Sequence, residues 1–285
     1  MWIRSIVVDE TRGLSIQATE WSRRGPTCVL LHGFGDNSSV WSHLAPQIMS
    51  RFRVITIDLR GHGNSDWDPE TRYDTETLTA DLAAIIGSFG LERTILIGHS
   101  WGAGIASRFA AAQPAVVAGL VIVDFGPELS EAGVAEILRG FTETPSSFGS
   151  SDEYARWLAA RRPFANPRML EQYARYGLRQ STDGRYQIKN DSALGTKAQI
   201  ARLTPENGHY HIAGLWTALE SIKCRTLVVR GGASGVFPRN IAARMVERMP
   251  AGELQSISGA GHAVMMDNPV QFTARVAEFL EDCPR

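Results

Sequence analysis

Ser100 stands in Gly98-His99-Ser100-Trp101-Gly102, between the apolar run Thr94-Ile95-Leu96-Ile97 and the Ala-rich stretch Ala103 to Ala112. A strand turning sharply into a helix pushes the intervening serine above the sheet edge, and small neighbours permit so tight a bend. In that setting the pentapeptide reads as an exposed nucleophile rather than a plain turn with a solvated serine. A serine hydroxyl is a poor nucleophile near neutral pH, so a base has to lie within hydrogen-bond reach. Seven histidines compete for that role. His262 has the strongest claim. It lies in Gly259-Ala260-Gly261-His262, after the strand-like Leu254 to Ile257 and before the last helical pattern. That puts it in a loop at the sheet edge where ligands sit in open α/β folds. His99 lies inside the turn itself, and His32 and His62 sit in glycine-rich turns where loop-holding hydrogen bonds are expected. For His209 and His211 surface and substrate-facing roles are equally open.

Attack on a carbonyl creates an oxyanion, and two backbone N–H groups should await it. One is expected from Trp101, directly after the serine, and the other from Phe34 in His32-Gly33-Phe34-Gly35. Removing one such donor elsewhere costs about 3 to 4 kcal/mol of barrier height, so backbone geometry counts as much as any side chain. No lysine follows that loop at the spacing of a phosphate-cradling loop.

Positioning these groups requires a scaffold, and the apolar pattern supplies one. Five short runs stand out: Cys28 to Leu31, Val54 to Asp58, Thr94 to Ile97, Leu120 to Asp124 and Thr226 to Val229. Continuous runs of this kind fit strands buried on both faces of a parallel sheet. Helical stripes alternate with them: Val40, Trp41, Leu44 and Ile48; Leu78, Leu82, Ile85, Ile86 and Phe89; Phe272, Val276, Phe279 and Leu280. The class is therefore α/β. From Leu120 to Leu227 is 107 residues, whereas a strand-helix-strand unit takes about 30. An inserted helical segment is expected over 127–215, with core at 1–126 and 216–285. Its helical signals are Asp152 to Arg162, Asn166 as a cap with Pro167 in the first turn and Gly177 as a stop, and Ser192 to Leu203.

Composition sets outer limits. Lys and Arg number 29 against 30 Asp and Glu, a formal charge of −1, which argues against nucleic-acid binding or an electrostatic membrane clamp. No apolar run approaches the roughly 18 to 20 residues of a membrane span, and the N-terminus lacks a leader pattern. The three cysteines, Cys28, Cys224 and Cys283, have no metal-type spacing and no even count for a disulfide framework. A cytoplasmic protein, monomer or homodimer, acting on a small molecule is expected.

Taken in order, Leu31-His32-Gly33-Phe34-Gly35, Asp58-Leu59-Arg60-Gly61-His62-Gly63-Asn64-Ser65, Gly98-His99-Ser100-Trp101-Gly102 and Gly259-Ala260-Gly261-His262 resemble the α/β-hydrolase superfamily over nearly the whole chain. The resemblance implies a mostly parallel eight-stranded sheet flanked by helices, a cap inserted after the sixth strand, and a Ser-acid-His triad. A serine at the elbow makes the branches that use aspartate there, the dehalogenases and epoxide hydrolases, poor candidates.

One position departs from the pattern. Most relatives keep the acid shortly after strand seven, where this chain reads Val229-Arg230-Gly231-Gly232-Ala233-Ser234-Gly235-Val236-Phe237, with Gly235 at the expected place. Some branches, certain lactonases among them, carry it after strand six, and here Leu120-Val121-Ile122-Val123 ends in Asp124. Asp124 is the expected third member, since a buried carboxylate orients the imidazole and stabilises its charged form. The competing reading is an aspartate that only bonds loop amides, with the acid at Gly235 lost.

The expectation is a cofactor-free, metal-free hydrolase cleaving an ester or lactone through an acyl-enzyme on Ser100. The alternatives are carbon–carbon bond hydrolysis of a ring-cleavage product and a non-catalytic ligand-binding protein. Aromatic residues crowd the insertion, and Trp157, Tyr176 and Trp216 are the expected substrate contacts, although packing of the cap onto the core would use the same residue types. Arg161, Arg162, Arg168, Arg175 and Arg179 carry no assigned specificity.

Overall fold

The computed structural model describes residues 1–196, 210–212 and 214–284. Its elements run β1 (Trp2–Asp9), β2 (Leu14–Glu20), β3 (Thr27–Leu31), α1 (Leu44–Ile48), β4 (Arg53–Ile57), α2 (Thr75–Ser88), β5 (Thr94–His99), α3 (Trp101–Ala112) and β6 (Val117–Val123). Then follow β7 (Glu128–Leu129), α4 (Glu131–Thr142), α5 (Ser151–Arg161), α6 (Pro167–Tyr176), β8 (Leu178–Gln180), β9 (Tyr186–Ile188) and β10 (Tyr210–His211). The chain returns through α7 (Leu215–Ser221), β11 (Arg225–Gly231), α8 (Arg239–Arg248), β12 (Gly252–Ile257), α9 (Val264–Asp267) and α10 (Pro269–Glu281).

Eight strands form one sheet in the order β1-β2-β4-β3-β5-β6-β11-β12. β2 is antiparallel to both β1 and β4, and every pair from β4 to β12 is parallel. The five expected runs are five of the parallel strands, each apolar without interruption because helices cover both faces. Alternate side chains serve the two faces: Val29, Leu31, Leu96, Leu120 and Ile122 pack with α2, α3, α7 and α8, and Leu30, Ile95, Ile97, Val121 and Val123 with α1, α5, α6 and α10. Because six strands run the same way, the loops after β3, β5, β6, β11 and β12 all emerge at one edge.

Local chemistry fixes the helix ends. Asn166 accepts from the Arg168 N–H ahead of Pro167, so α6 starts as expected. The stripe Val40 to Ile48 is interrupted: Ser38–Trp41 is a 3-10 turn and α1 begins only after His43. Of the expected Ser192–Leu203 helix, Ser192–Gly195 is a 3-10 turn, and 197–203, like His209, lie outside the described residues. Among the described residues no helix is long and apolar enough to cross a membrane.

Candidate active site

Ser100 is the residue between β5 and α3, with φ +49° and ψ −120°, a conformation that L-residues rarely adopt and that surrounding packing must impose. Two bare positions make the bend possible. A side chain at Gly98 would place its Cβ 2.5 Å from the Ala103 Cα, and one at Gly102 would lie 2.4 Å from the His32 carbonyl oxygen. The N–H groups of Ala103 and Gly104 both donate to the Ser100 carbonyl. That of Trp101, the first residue of α3, has no acceptor within the helix and emerges at its N-terminus.

The loop carrying Phe34 is pinned by the two histidines expected to hold turns. His32 donates through Nδ1 to the Gly33 carbonyl at 2.8 Å and accepts the Leu59 N–H at Nε2, 2.9 Å. His62 donates to the Arg60 carbonyl and accepts the Gly35 N–H at 3.1 Å. Both are completely buried, and burial lowers the basicity of each, that of His62 to a pKa of about 3. Neutral rings in these tautomers are what the hydrogen bonds require.

His262 and Asp124, 138 residues apart, meet across the ends of β12 and β6: Nδ1 to Oδ2 is 2.8 Å. The Asp124 side chain is wholly buried, and the imidazole keeps 19% of its surface exposed. Asp124 itself has φ +50°. Its carboxylate also accepts the Gly231 N–H on Oδ1 at 2.8 Å and the Ser234 hydroxyl on Oδ2 at 2.6 Å. Three hydrogen-bond partners thus converge on this buried side chain. Gly235 lies on the cavity wall with nothing within 4 Å of where a Cβ would be.

Ser100, His262 and Phe34 line one cavity of about 900 Å³. Trp157 lines it too. Tyr176 and Trp216 do not, which corrects the expected contact set. Tyr176, last residue of α6, is 59% exposed. The Trp216 indole donates to Glu128 at 3.0 Å and lies under the guanidinium groups of Arg244 and Arg248, at 4.9 and 4.8 Å; it packs α7 on α8.

The cavity wall also carries a polar cluster that sequence reading did not assemble. Asp36 accepts from Arg162 and from the Tyr173 hydroxyl, both at 3.1 Å, and its other oxygen lies 3.7 Å from His99 Nδ1. His99, buried, donates through Nε2 to the His262 carbonyl at 2.9 Å, and burial holds its pKa down at about 3. Asp267 accepts the Gly261 N–H at 2.7 Å and so closes the turn bearing His262; burial raises its pKa to about 6. The available signals were weak: Asp36 sits two residues from Phe34, singled out for its backbone, and Ser234 is next to Gly235, singled out for a missing side chain. No group of three or more metal-ligating side chains occurs among the described residues.

A family model described as "Alpha/beta hydrolase family" matches residues 28–276. The chain belongs to the alpha/beta hydrolase family. Its relatives include the 2-(acetamidomethylene)succinate hydrolase of Mesorhizobium japonicum, 26% identical over 257 residues, 90% of this chain and 88% of that protein. The pimeloyl-[acyl-carrier protein] methyl ester esterase of Aeromonas hydrophila is 29% identical over 263 residues, 90% of this chain and 96% of that one. A crystal structure of E-2-(acetamidomethylene)succinate hydrolase superimposes with a TM-score of 0.87 at 26% identity, covering 98% and 99% of the two chains. In this chain Ser100 after β5 and His262 after β12 share one sheet edge with Asp124 at the end of β6.

Proposed function

We propose that this hydrolase cleaves an ester or lactone through an acyl-enzyme on Ser100. The observation that carries the reading is the 2.8 Å contact between His262 Nδ1 and the buried Asp124 carboxylate, beside a cavity that Ser100 also lines. The relative named as a methyl ester esterase supports the same reaction type.

In the proposed cycle His262 Nε2 takes the Ser100 proton as Oγ bonds to the carbonyl carbon, and the carbonyl π pair moves to oxygen, held by the N–H groups of Phe34 and Trp101. Collapse re-forms the carbonyl and expels the alcohol oxygen, which takes the proton from His262. Water, losing a proton to the same nitrogen, then attacks the acyl carbon. The second collapse returns that proton to Ser100 and releases the acid. Asp124 holds the Nδ1 proton in place and stabilises the ring while it is charged. The segment 127–215 acts as the cap, contributing Trp157 to the substrate wall, and no cofactor takes part. A cytoplasmic location fits three unpaired cysteines.

The test is a fluorophosphonate probe together with p-nitrophenyl esters. Ser100 should be labelled and the esters turned over, both lost in Ser100→Ala. Folded protein that neither labels nor turns over esters would refute the reading, and hydrolysis confined to vinylogous diketo acids would move it to carbon–carbon bond cleavage.

A further inference from the structure

The turn Gly33-Phe34-Gly35-Asp36 is closed by its own backbone, the Asp36 N–H donating to the Gly33 carbonyl at 3.2 Å, and is then gripped from outside. The Asn190 amide and the Tyr173 hydroxyl donate to the Gly35 carbonyl at 2.7 and 3.3 Å. Arg162, the residue after α5, donates to Asp36 at 3.1 Å, and another of its N–H groups reaches the Met266 sulfur at 3.3 Å. Met266 belongs to α9, which begins two residues after His262, and its carbonyl accepts the Asn166 N–H at 2.9 Å. One guanidinium therefore spans two turns: the one that offers the Phe34 N–H and the one that carries His262.

The charge at Asp36 makes that span matter. The residue is buried, and the titratable groups facing it are Arg162, Tyr154 of α5, Tyr173 of α6, His99 of β5, and His32 and His62 of the loops after β3 and β4. Burial keeps both tyrosines and all three histidines neutral. Of these groups Arg162 is the one cation. Burial pushes the Asp36 carboxyl up, and Arg162, the strongest of the opposing influences, holds it below its ordinary value. His99 gives its Nε2 proton to the His262 carbonyl, so the Nδ1 that faces Asp36 at 3.7 Å is a lone pair with no hydrogen-bond partner among the described residues. Removing one member of a buried ion pair strands the other charge, whereas removing both can be neutral. A stranded Asp36 would stand against that lone pair until it took up a proton, which it could then donate to Nδ1.

We propose that Arg162 is a positioning residue for the hydrolysis: by neutralising Asp36 and bridging to α9, it holds the turn of Phe34 in register with the turn of His262. This rests on the serine-hydrolase reading above. The competing role is a seat for an anionic substrate, since Arg162 lines the same cavity. Its guanidinium is already engaged by a carboxylate, a thioether and the face of the Tyr173 ring, 5.2 Å away. A positioning role and a substrate contact differ in kinetics. Misplacing an oxyanion donor weakens an interaction made in the transition state and lowers kcat, whereas losing a substrate contact raises KM.

The experiment measures kcat and KM for p-nitrophenyl acetate and hemisuccinate at pH 8 and pH 6 in the wild type, Arg162→Met, Asp36→Asn and the double variant Asp36→Asn/Arg162→Met. At pH 8 Arg162→Met should lose at least about 30-fold in kcat on both esters with KM within about threefold, a part of the roughly 10²- to 10³-fold that loss of an oxyanion donor costs elsewhere. The deficit relative to wild type should shrink at least about threefold at pH 6, where the stranded Asp36 takes up its proton. The double variant should keep at least about one-tenth of the Asp36→Asn kcat, because a neutral residue 36 leaves Arg162 nothing to neutralise; that comparison decides the matter even if Arg162→Met does not fold. A deficit confined to KM or to hemisuccinate, one that pH leaves unchanged, or a double variant well below one-tenth of Asp36→Asn overturns the proposal. Wild type with Ser100 unlabelled and no turnover fails the underlying reading instead, and the positioning role falls with it.

Discussion

Ser100 occupies a backbone conformation that costs about 1 to 3 kcal/mol in a residue with a side chain, and the cost separates two variants at this position. Ser100→Gly relieves it, while Ser100→Ala keeps it. The glycine variant should therefore unfold about 1 kcal/mol later in urea than the alanine variant, after roughly 0.5 to 1 kcal/mol for the greater freedom of an unfolded glycine. Equal midpoints would mean the strain is not there. Asp124 makes a second test. Asp124→Asn keeps the shape but changes the hydrogen-bond polarity toward His262 Nδ1, and kcat on aryl esters should fall about 10³- to 10⁴-fold, as in the serine-protease precedent. A loss under tenfold would remove Asp124 from the mechanism. Ser100, His262, Phe34 and Trp101 were legible because each follows an apolar run or sits among glycines. Asp124 was legible only through Gly235, whose missing side chain forced the search one strand earlier. Ser234 and Asp36 were not, since a single hydroxyl or carboxylate in a loop looks the same whether it faces solvent or a buried partner.

At the scale of elements, the turn between β5 and α3 depends on close backbone approach. Gly102→Ala would bring a methyl to 2.4 Å from the His32 carbonyl oxygen, and overpacking of this kind costs about 1 to 3 kcal/mol. Urea unfolding should register that loss, and ester turnover should fall at least 100-fold because α3 and the Phe34 loop must separate. Wild-type rates in this variant would show the contact to be soft. Parallel strands announce themselves in the sequence by unbroken apolar runs, but β1 and β2 do not. β1 is exposed along most of its length and β2 alternates buried and half-buried positions, the mark of antiparallel strands at a sheet edge. The split of the Val40–Ile48 stripe was hidden for another reason. Asn37 caps the first piece by accepting the Ser39 N–H, and a cap so near a second start shortens both. Tyr176 and Trp216 show the limit of reading aromatics, because periodicity marks a face without saying whether it meets solvent, a neighbouring helix or a ligand.

For the molecule as a whole, acid should be destabilising in a way that carboxylates alone do not explain. His62 and His99 are buried and neutral with pKa values of about 3, against about 6.5 when unfolded. Between those limits the unfolded chain binds more protons, so stability is fully present above pH 6.5 and is lost as pH falls toward 3, by up to about 1.4 kcal/mol per histidine per pH unit. Urea midpoints at pH 7.5 and 5.0 measure this, and His62→Asn should flatten the dependence. Identical midpoints in the wild type would contradict the burial argument. Asp68 works in the same direction at lower pH. Burial pushes its carboxyl up, but the Glu70 amide, Arg60 and Arg72 hold it below its ordinary value, so its contribution disappears only on further acidification.

The seam at Ser130, Gly133, Gly235 and Val236 stitches the first turn of α4 to the loop whose Ser234 hydroxyl reaches Asp124. Modularity is therefore bounded: a chimaera that replaces the chain from position 127 also discards the contacts that buttress the Ser234 loop, while a splice made beyond Gly140 keeps them.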